Sequence, residues 1–182
     1  MNREFVPSRL DVTGFAEAAA TLNGRDPVVG YARLSAELAD STSDAPVVWT
    51  AQGENRTGSD GAPVAWLHLH AEATLPFVCQ RCLAPVSLDL EVDRWFRFAA
   101  DEEAAAIEDE EADEDVLVAA RDFDLTGLIE DELLMEIPVT PRHDECPEPV
   151  QLSSADADFE QANEARPNPF AVLGGLKKPK GE

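Results

Sequence analysis

The sequence predicts an α+β fold: a mainly antiparallel sheet packed against one or two helices, with an acidic flexible loop and a disordered C-terminal tail. Three observations carry that prediction. Residues 64–75 and 86–98 alternate apolar and polar side chains with the period of two that a half-buried strand requires. Residues 124–137 carry an apolar stripe at helical spacing, between a cap residue and a proline. Strands do not alternate regularly with helical crossovers, which argues against a doubly wound parallel sheet.

The elements follow in order. Residues 8–24 read as a short helix, with Asp11 as its cap and Leu10, Phe15, Ala18, Ala19 and Leu22 near one face. Asn23-Gly24 supplies its stop, because these residues tolerate the left-handed backbone. Residues 28–38 alternate weakly through Val29, Tyr31 and Leu34 and read as a strand, and 46–52 as a second one. Asn55 to Gly61 is a turn rich in Gly, Ser, Asp and Asn. In the strand at 64–75, Leu67, Leu69, Ala71, Ala73 and Leu75 face inward, and Trp66, His68, His70, Glu72 and Thr74 outward. In the strand at 86–98, Val86, Leu88, Leu90, Val92, Phe96 and Phe98 face the core, and Ser87, Asp89, Glu91 and Asp93 face solvent. Cys79-Gln80-Arg81-Cys82 lies in the connection between them.

Residues 101–115 form an acidic run without a basic residue, so self-repulsion predicts a solvated, flexible loop. It lacks the glycine-assisted turn and ligand spacing of a calcium loop. Val116-Leu117-Val118 adds a short strand. The helix at 124–137 takes Asp124 as its cap and buries Leu125, Leu128, Ile129, Leu133 and Ile137. Glu130, Asp131, Glu132 and Glu136 decorate the rest, and Pro138 ends it. This reading gives one domain over residues 1–150, a polar flexible linker over 151–166 and a basic, apolar binding tail over 167–182.

Charge bounds the function. Asp and Glu number 37 against 14 Lys and Arg, a net charge of −23. Such a chain repels phosphate backbones, so contact with RNA needs a local basic patch or a basic protein partner. The alternative is that the charge serves solubility alone. The N-terminal residues lack a signal-peptide core, and no stretch approaches the roughly 20 apolar residues of a spanning helix. Three cysteines fit a closed disulfide framework poorly. A reducing cytoplasm with no membrane association is the expectation.

Cys79 and Cys82 offer two sulfurs from one tight turn, and His143 and Cys146 offer a second pair at the same spacing. Three chemistries fit: a structural zinc held by all four; a pair of thiols supporting the turn, with His143 bonded to backbone; or a redox CxxC. The last expects a helix N-terminus after a strand, which the hairpin context with Pro85 does not provide. His68 and His70 share a strand face without a thiol or carboxylate spaced to complete a ligand set, and read as ordinary strand residues. There is no Gly-x-Ser-x-Gly elbow and no phosphate-cradling loop. No catalytic residue and no small-molecule substrate are expected.

The tail is the most informative functional segment. Arg166 to Lys180 holds four basic residues and no acidic one. Pro167, Asn168, Pro169, Phe170, Val172, Leu173, Leu176, Lys177, Lys178 and Lys180 read as a peptide that orders on contact with RNA or a protein partner. The other reading is that Phe170 to Leu176 docks back on the protein's own sheet.

Three stretches resemble the YceD family, the large-ribosomal-RNA-subunit accumulation proteins. They are Cys79-Gln80-Arg81-Cys82-Leu83 with its following strand, Phe123-Asp124-Leu125 through Ile137-Pro138 to the Pro141–Cys146 loop, and Pro167-Asn168-Pro169-Phe170-Ala171-Val172-Leu173 with Leu176-Lys177. The resemblance implies a non-enzymatic ribosome biogenesis factor acting in synthesis, processing or stability of 23S ribosomal RNA in a bacterial cytoplasm. Its partner would be a large-subunit precursor, through the RNA or basic ribosomal proteins. A CxxC thiol oxidoreductase and a zinc-stapled adaptor are the competing readings.

Overall fold

The computed structural model describes residues 4–58, 61–110, 112, 114–148, 154, 158 and 170. The chain divides into two units, Met1–Cys146 and Pro147–Glu182. The first is built on one five-stranded sheet. Its strands are β1 (Thr21–Pro27), β2 (Pro46–Thr57), β3 (Pro63–Val78), β4 (Pro85–Ala99) and β5 (Asp115–Val118), lying side by side in chain order. The first four run antiparallel, and β5 pairs parallel to the end of β4. Among the described residues four helices accompany them: α1 (Val12–Glu17), α2 (Ala32–Ala36), α3 (Glu102–Asp109) and α4 (Leu125–Met135). Among the described residues no helix is long and apolar enough to cross a membrane.

The two alternating segments form the centre of the sheet. Leu67 faces Phe96, Ala71 faces Val92 and Leu75 faces Leu88 across β3 and β4. A slip of one residue would turn each of these side chains to solvent, so the apolar pattern sets the register. Leu125, Ile129 and Leu133 of α4 are fully buried in the same core as Leu69, Leu75 and Phe15. Each such side chain contributes roughly 1.5–3 kcal/mol through burial. Asp124 caps α4 by accepting from the Gly127 N–H at 3.0 Å, as predicted.

The N-terminal third departs from the prediction. Asp11 does cap α1, accepting from the Gly14 N–H at 3.1 Å, but α1 stops at Glu17. Ala19 then takes a left-handed φ of 43° and turns the chain into β1. Asn23-Gly24, read as a helix stop, lies inside β1 opposite Trp49 and Thr50. A Cβ on Gly24 would stand 2.5 Å from the Trp49 ring, so that glycine serves close packing rather than a turn.

Residues 28–38 are not a strand. A 3₁₀ turn at Val28–Gly30 leads into α2. The reason lies far along the chain. Glu130 of α4 accepts the backbone N–H groups of Arg33 at 2.7 Å and Leu34 at 3.2 Å, serving the free donors of α2 as a cap would. The Arg33 side chain returns to Glu130 at 2.9 Å and to Asp131.

Two further differences are local. The turn after β2 begins at Gly58, because β2 runs on to Thr57, and Gly61 closes it at φ +82°. The first half of the acidic run is helical. Asp101 caps α3 by accepting from the Ala104 N–H at 2.9 Å, and Glu102 and Glu103 suit the positive end of its dipole. Ala104-Ala105-Ala106 has the highest helix propensity available, and Arg97 pairs with Glu108 at 2.6 Å.

Glu130 and Glu132 do not decorate a solvent face either; both are buried. They titrate in opposite directions. Burial pushes Glu130 up, but the Leu34 and Arg33 N–H groups and the Arg33 guanidinium outweigh it and hold the carboxyl below its ordinary value. Burial also pushes Glu132 up, and the Arg94 guanidinium, at 2.9 Å and shared with Asp115, does not offset it.

Candidate metal centre

The connection from β3 to β4 is a tight turn that carries Cys79 and Cys82. Cys79 donates its N–H to the Ala84 carbonyl at 2.9 Å, and Leu83 donates to the Cys79 carbonyl at 2.8 Å. Leu83 accepts a left-handed φ of 63° to close it. The segment after α4 docks on this turn. The Gln80 N–H donates to the Pro141 carbonyl at 2.7 Å. Arg81 donates through Nη2 to the carbonyls of His143 at 2.6 Å and Asp144 at 3.1 Å, and through Nε to the Cys146 sulfur at 3.1 Å.

These bonds bring Cys79, Cys82, His143 and Cys146 together, with one ligand atom from each lying within 4.8 Å of the others. Zn–S bonds of about 2.3 Å at tetrahedral angles place ligand atoms roughly 3.8 Å apart. Shifts of about an ångström would let the set hold an ion. His143 is already oriented for coordination. Its Nε2 lies 3.0 Å from the Pro85 carbonyl and so carries the proton it donates there, which leaves the Nδ1 lone pair facing the Cys82 sulfur at 3.4 Å. A backbone carbonyl behind the imidazole is one of the outer partners that metal-bound histidines use.

The electrostatics favour thiolate. Burial pushes the Cys79 thiol up, yet the N–H groups of Cys82, His143 and Arg81 and the Cys82 side chain together bring it down to about 5. At Cys82 the Ala84 N–H favours the thiolate, but burial and the sulfurs of Cys146 and Cys79 outweigh it and raise the thiol. One sulfur thus ionises readily and resists the ionisation of the next. A divalent cation removes that conflict, because thiolates bind it without their protons.

Sequence spacing picked out the four residues that the structure groups as a set able to hold a metal ion. It missed Arg81, whose position between the two cysteines was the available signal, and the Pro85 carbonyl, which carries none. His68 and His70 turn to separate partners: His68 to Asp93 and Trp95, His70 to the Val92 carbonyl. Of the ten tail residues, Phe170 is described and exposed; Pro167, Asn168, Pro169, Val172, Leu173, Leu176, Lys177, Lys178 and Lys180 lie outside the described residues.

A family model described as "Large ribosomal RNA subunit accumulation protein YceD" matches residues 67–177, which hold both halves of this centre. A Haemophilus influenzae protein of that name is 32% identical over 103 residues, covering 55% of this chain and 58% of its own length. The chain thus matches less than two thirds of that relative. No solved structure matches the chain.

Proposed function

This chain belongs to the YceD family, the large ribosomal RNA subunit accumulation proteins, and from that premise we propose that it is a non-enzymatic ribosome biogenesis factor. It acts in the synthesis, processing or stability of 23S ribosomal RNA, in the cytoplasm, on a large-subunit precursor. The observation that carries the reading is the family match over residues 67–177, which runs from β3 through the cysteine–histidine centre and into the basic tail.

The four grouped ligands support a structural zinc as part of this reading. Zinc would tie the β3–β4 turn to the loop after α4, with all four positions taken by protein and none left open for substrate. Nothing in that arrangement calls for turnover. The thiol oxidoreductase alternative is disfavoured by the burial of Cys79, which is 0% exposed, and by its place in a hairpin rather than at a helix N-terminus. Residues 151–166 act as a linker, and the tail at 167–182 makes contact with the precursor.

Cells lacking the protein, analysed on sucrose gradients with quantified 23S RNA, should show fewer large subunits. Normal amounts under all growth conditions overturn the assignment. Deletion of residues 167–182 should reduce co-sedimentation with precursor particles; unchanged co-sedimentation removes the tail from the mechanism.

A further inference from the structure

The sheet face turned away from α1 and α4 is not a plain solvated surface. Two rows cross it, Gln52–His68–Trp95 and Glu54–Trp66–Arg97. The Trp66 and Trp95 rings stand edge to face with centroids 6.4 Å apart. The Arg56 guanidinium lies over both, 4.2 Å from one ring and 4.0 Å from the other, while Glu54 holds its Nε at 3.0 Å. His68 stacks on Trp95 at 4.5 Å. The tryptophan on the core side, Trp49, is by contrast 4% exposed and bonded to Asp26.

The same face continues into a concavity of about 430 Å³ lined by Arg25, Glu72, Thr74, Asp89 and Glu91. Glu72 and Glu91 stand directly opposite one another on β3 and β4. Like charges at that position cost stability in the free protein, and a partner's cation would relieve the cost. Along β4 the outward residues Asp89, Glu91, Asp93 and Trp95 span about 20 Å at roughly 3.3 Å per residue. The central three strands thus present an aromatic pair that takes a guanidinium, followed by carboxylates.

Charge complementarity selects the occupant. On this face Glu54, Glu72, Asp89, Glu91 and Asp93 outnumber Arg25, Arg56 and Arg97, within a chain of net charge −23. A phosphate backbone laid along it meets carboxylates. A guanidinium finds two tryptophan rings and carboxylates able to take it bidentately.

We infer that the solvent face of β2, β3 and β4 is a docking surface for an extended, arginine-rich protein segment. One partner guanidinium replaces that of Arg56 between Trp66 and Trp95, and further basic side chains pair with Glu72, Asp89 and Glu91. Arg56 is then an internal stand-in that keeps the cage filled until the partner arrives. The inference deepens the biogenesis reading and rests on it in one respect, that arginine-rich ribosomal proteins are the partners at hand.

The test titrates the full chain with a nona-arginine peptide at physiological salt, by calorimetry and by tryptophan emission. Saturable binding is expected. Trp66→Ala/Trp95→Ala should weaken it at least tenfold and Glu72→Gln/Glu91→Gln at least fivefold. Glu102→Gln/Glu103→Gln, which removes the same charge from α3, should change it less than twofold. Arg56→Ala should tighten binding, because the competitor is gone. Should the tryptophan variant fail to fold, the Glu72/Glu91 pair and Arg56→Ala decide the matter.

An equal loss in the α3 control overturns the inference in favour of diffuse attraction. Tighter binding of a twelve-nucleotide oligo(U) than of the peptide, lost on Arg56→Ala, overturns it in favour of a nucleic-acid surface. Co-sedimentation of the unaltered protein with precursor particles, measured alongside, reports on the biogenesis reading separately. If that persists while the peptide ignores every sheet variant, the docking surface alone is wrong.

Discussion

Arg81 donates from Nε to the sulfur of Cys146 at 3.1 Å, across 65 positions of sequence. Its other end holds the carbonyls of His143 and Asp144, so a single guanidinium fastens the second ligand pair to the turn that carries the first. It also sets a positive charge against a group of three sulfurs, which would carry excess negative charge around a divalent ion. Arg81 would therefore act as an outer support for a metal held by these four residues.

Protein purified without added metal should hold about one zinc per chain by elemental analysis. Cys79→Ser/Cys82→Ser should reduce that below about a tenth. Chelation should lower Tm by about 2–4 °C for each kcal/mol that the bound metal contributes to folding. Less than half an equivalent in the unaltered protein refutes the assignment.

Arg81→Ala should leave all four ligands in place yet weaken zinc affinity by about 10–100-fold, the range for losing an outer partner. Competition against a chromophoric chelator measures it. Arg81→Lys restores the charge but not the fork that reaches three acceptors, and should recover only part of the loss.

Glu130→Gln should destabilise the fold by about 1–3 kcal/mol at pH 7, measured by urea unfolding, because two backbone donors of α2 then face a weaker acceptor. The pH dependence has a definite sign. The folded carboxyl titrates below its ordinary value, so its stabilisation is present above the unfolded value and is lost as pH falls through the folded one. The gap between the unaltered protein and the variant should close as pH drops below about 4. Glu132 contributes the opposite slope: its folded value is raised, and its ionisation costs stability as pH rises. A gap that widens on acidification contradicts the capping role.

Gly53→Ala should cost about 1–3 kcal/mol by the same measurement. The added Cβ would lie 2.8 Å from the Phe15 carbonyl, which is backbone and cannot rotate away. A neutral result would show that α1 shifts freely over β2.

What could be read in advance followed from how local each signal is. β3, β4 and α4 declare themselves through alternation, the Asp124 cap and Pro138, all within the elements or a few residues from their ends. The cysteine–histidine cluster was legible because its two pairs repeat one spacing. β1 was hidden, since Asn23-Gly24 signals a stop where Gly24 actually makes room for Trp49. α2 was hidden for a different reason. Its five residues do not satisfy their own N-terminus, and the group that does is on α4. The burial of Glu130 and Glu132 was invisible for the same cause, because their cationic partners sit on α2 and β4.

That dependence has a consequence for synthesis on the ribosome. Glu130 follows Arg33 by 97 positions, so the segment around residue 33 leaves the exit tunnel well before its cap exists. At roughly 5–20 residues per second the delay is about 5–20 s. The nascent chain must hold this stretch open through that interval, while the β2–β3–β4 meander assembles ahead of it.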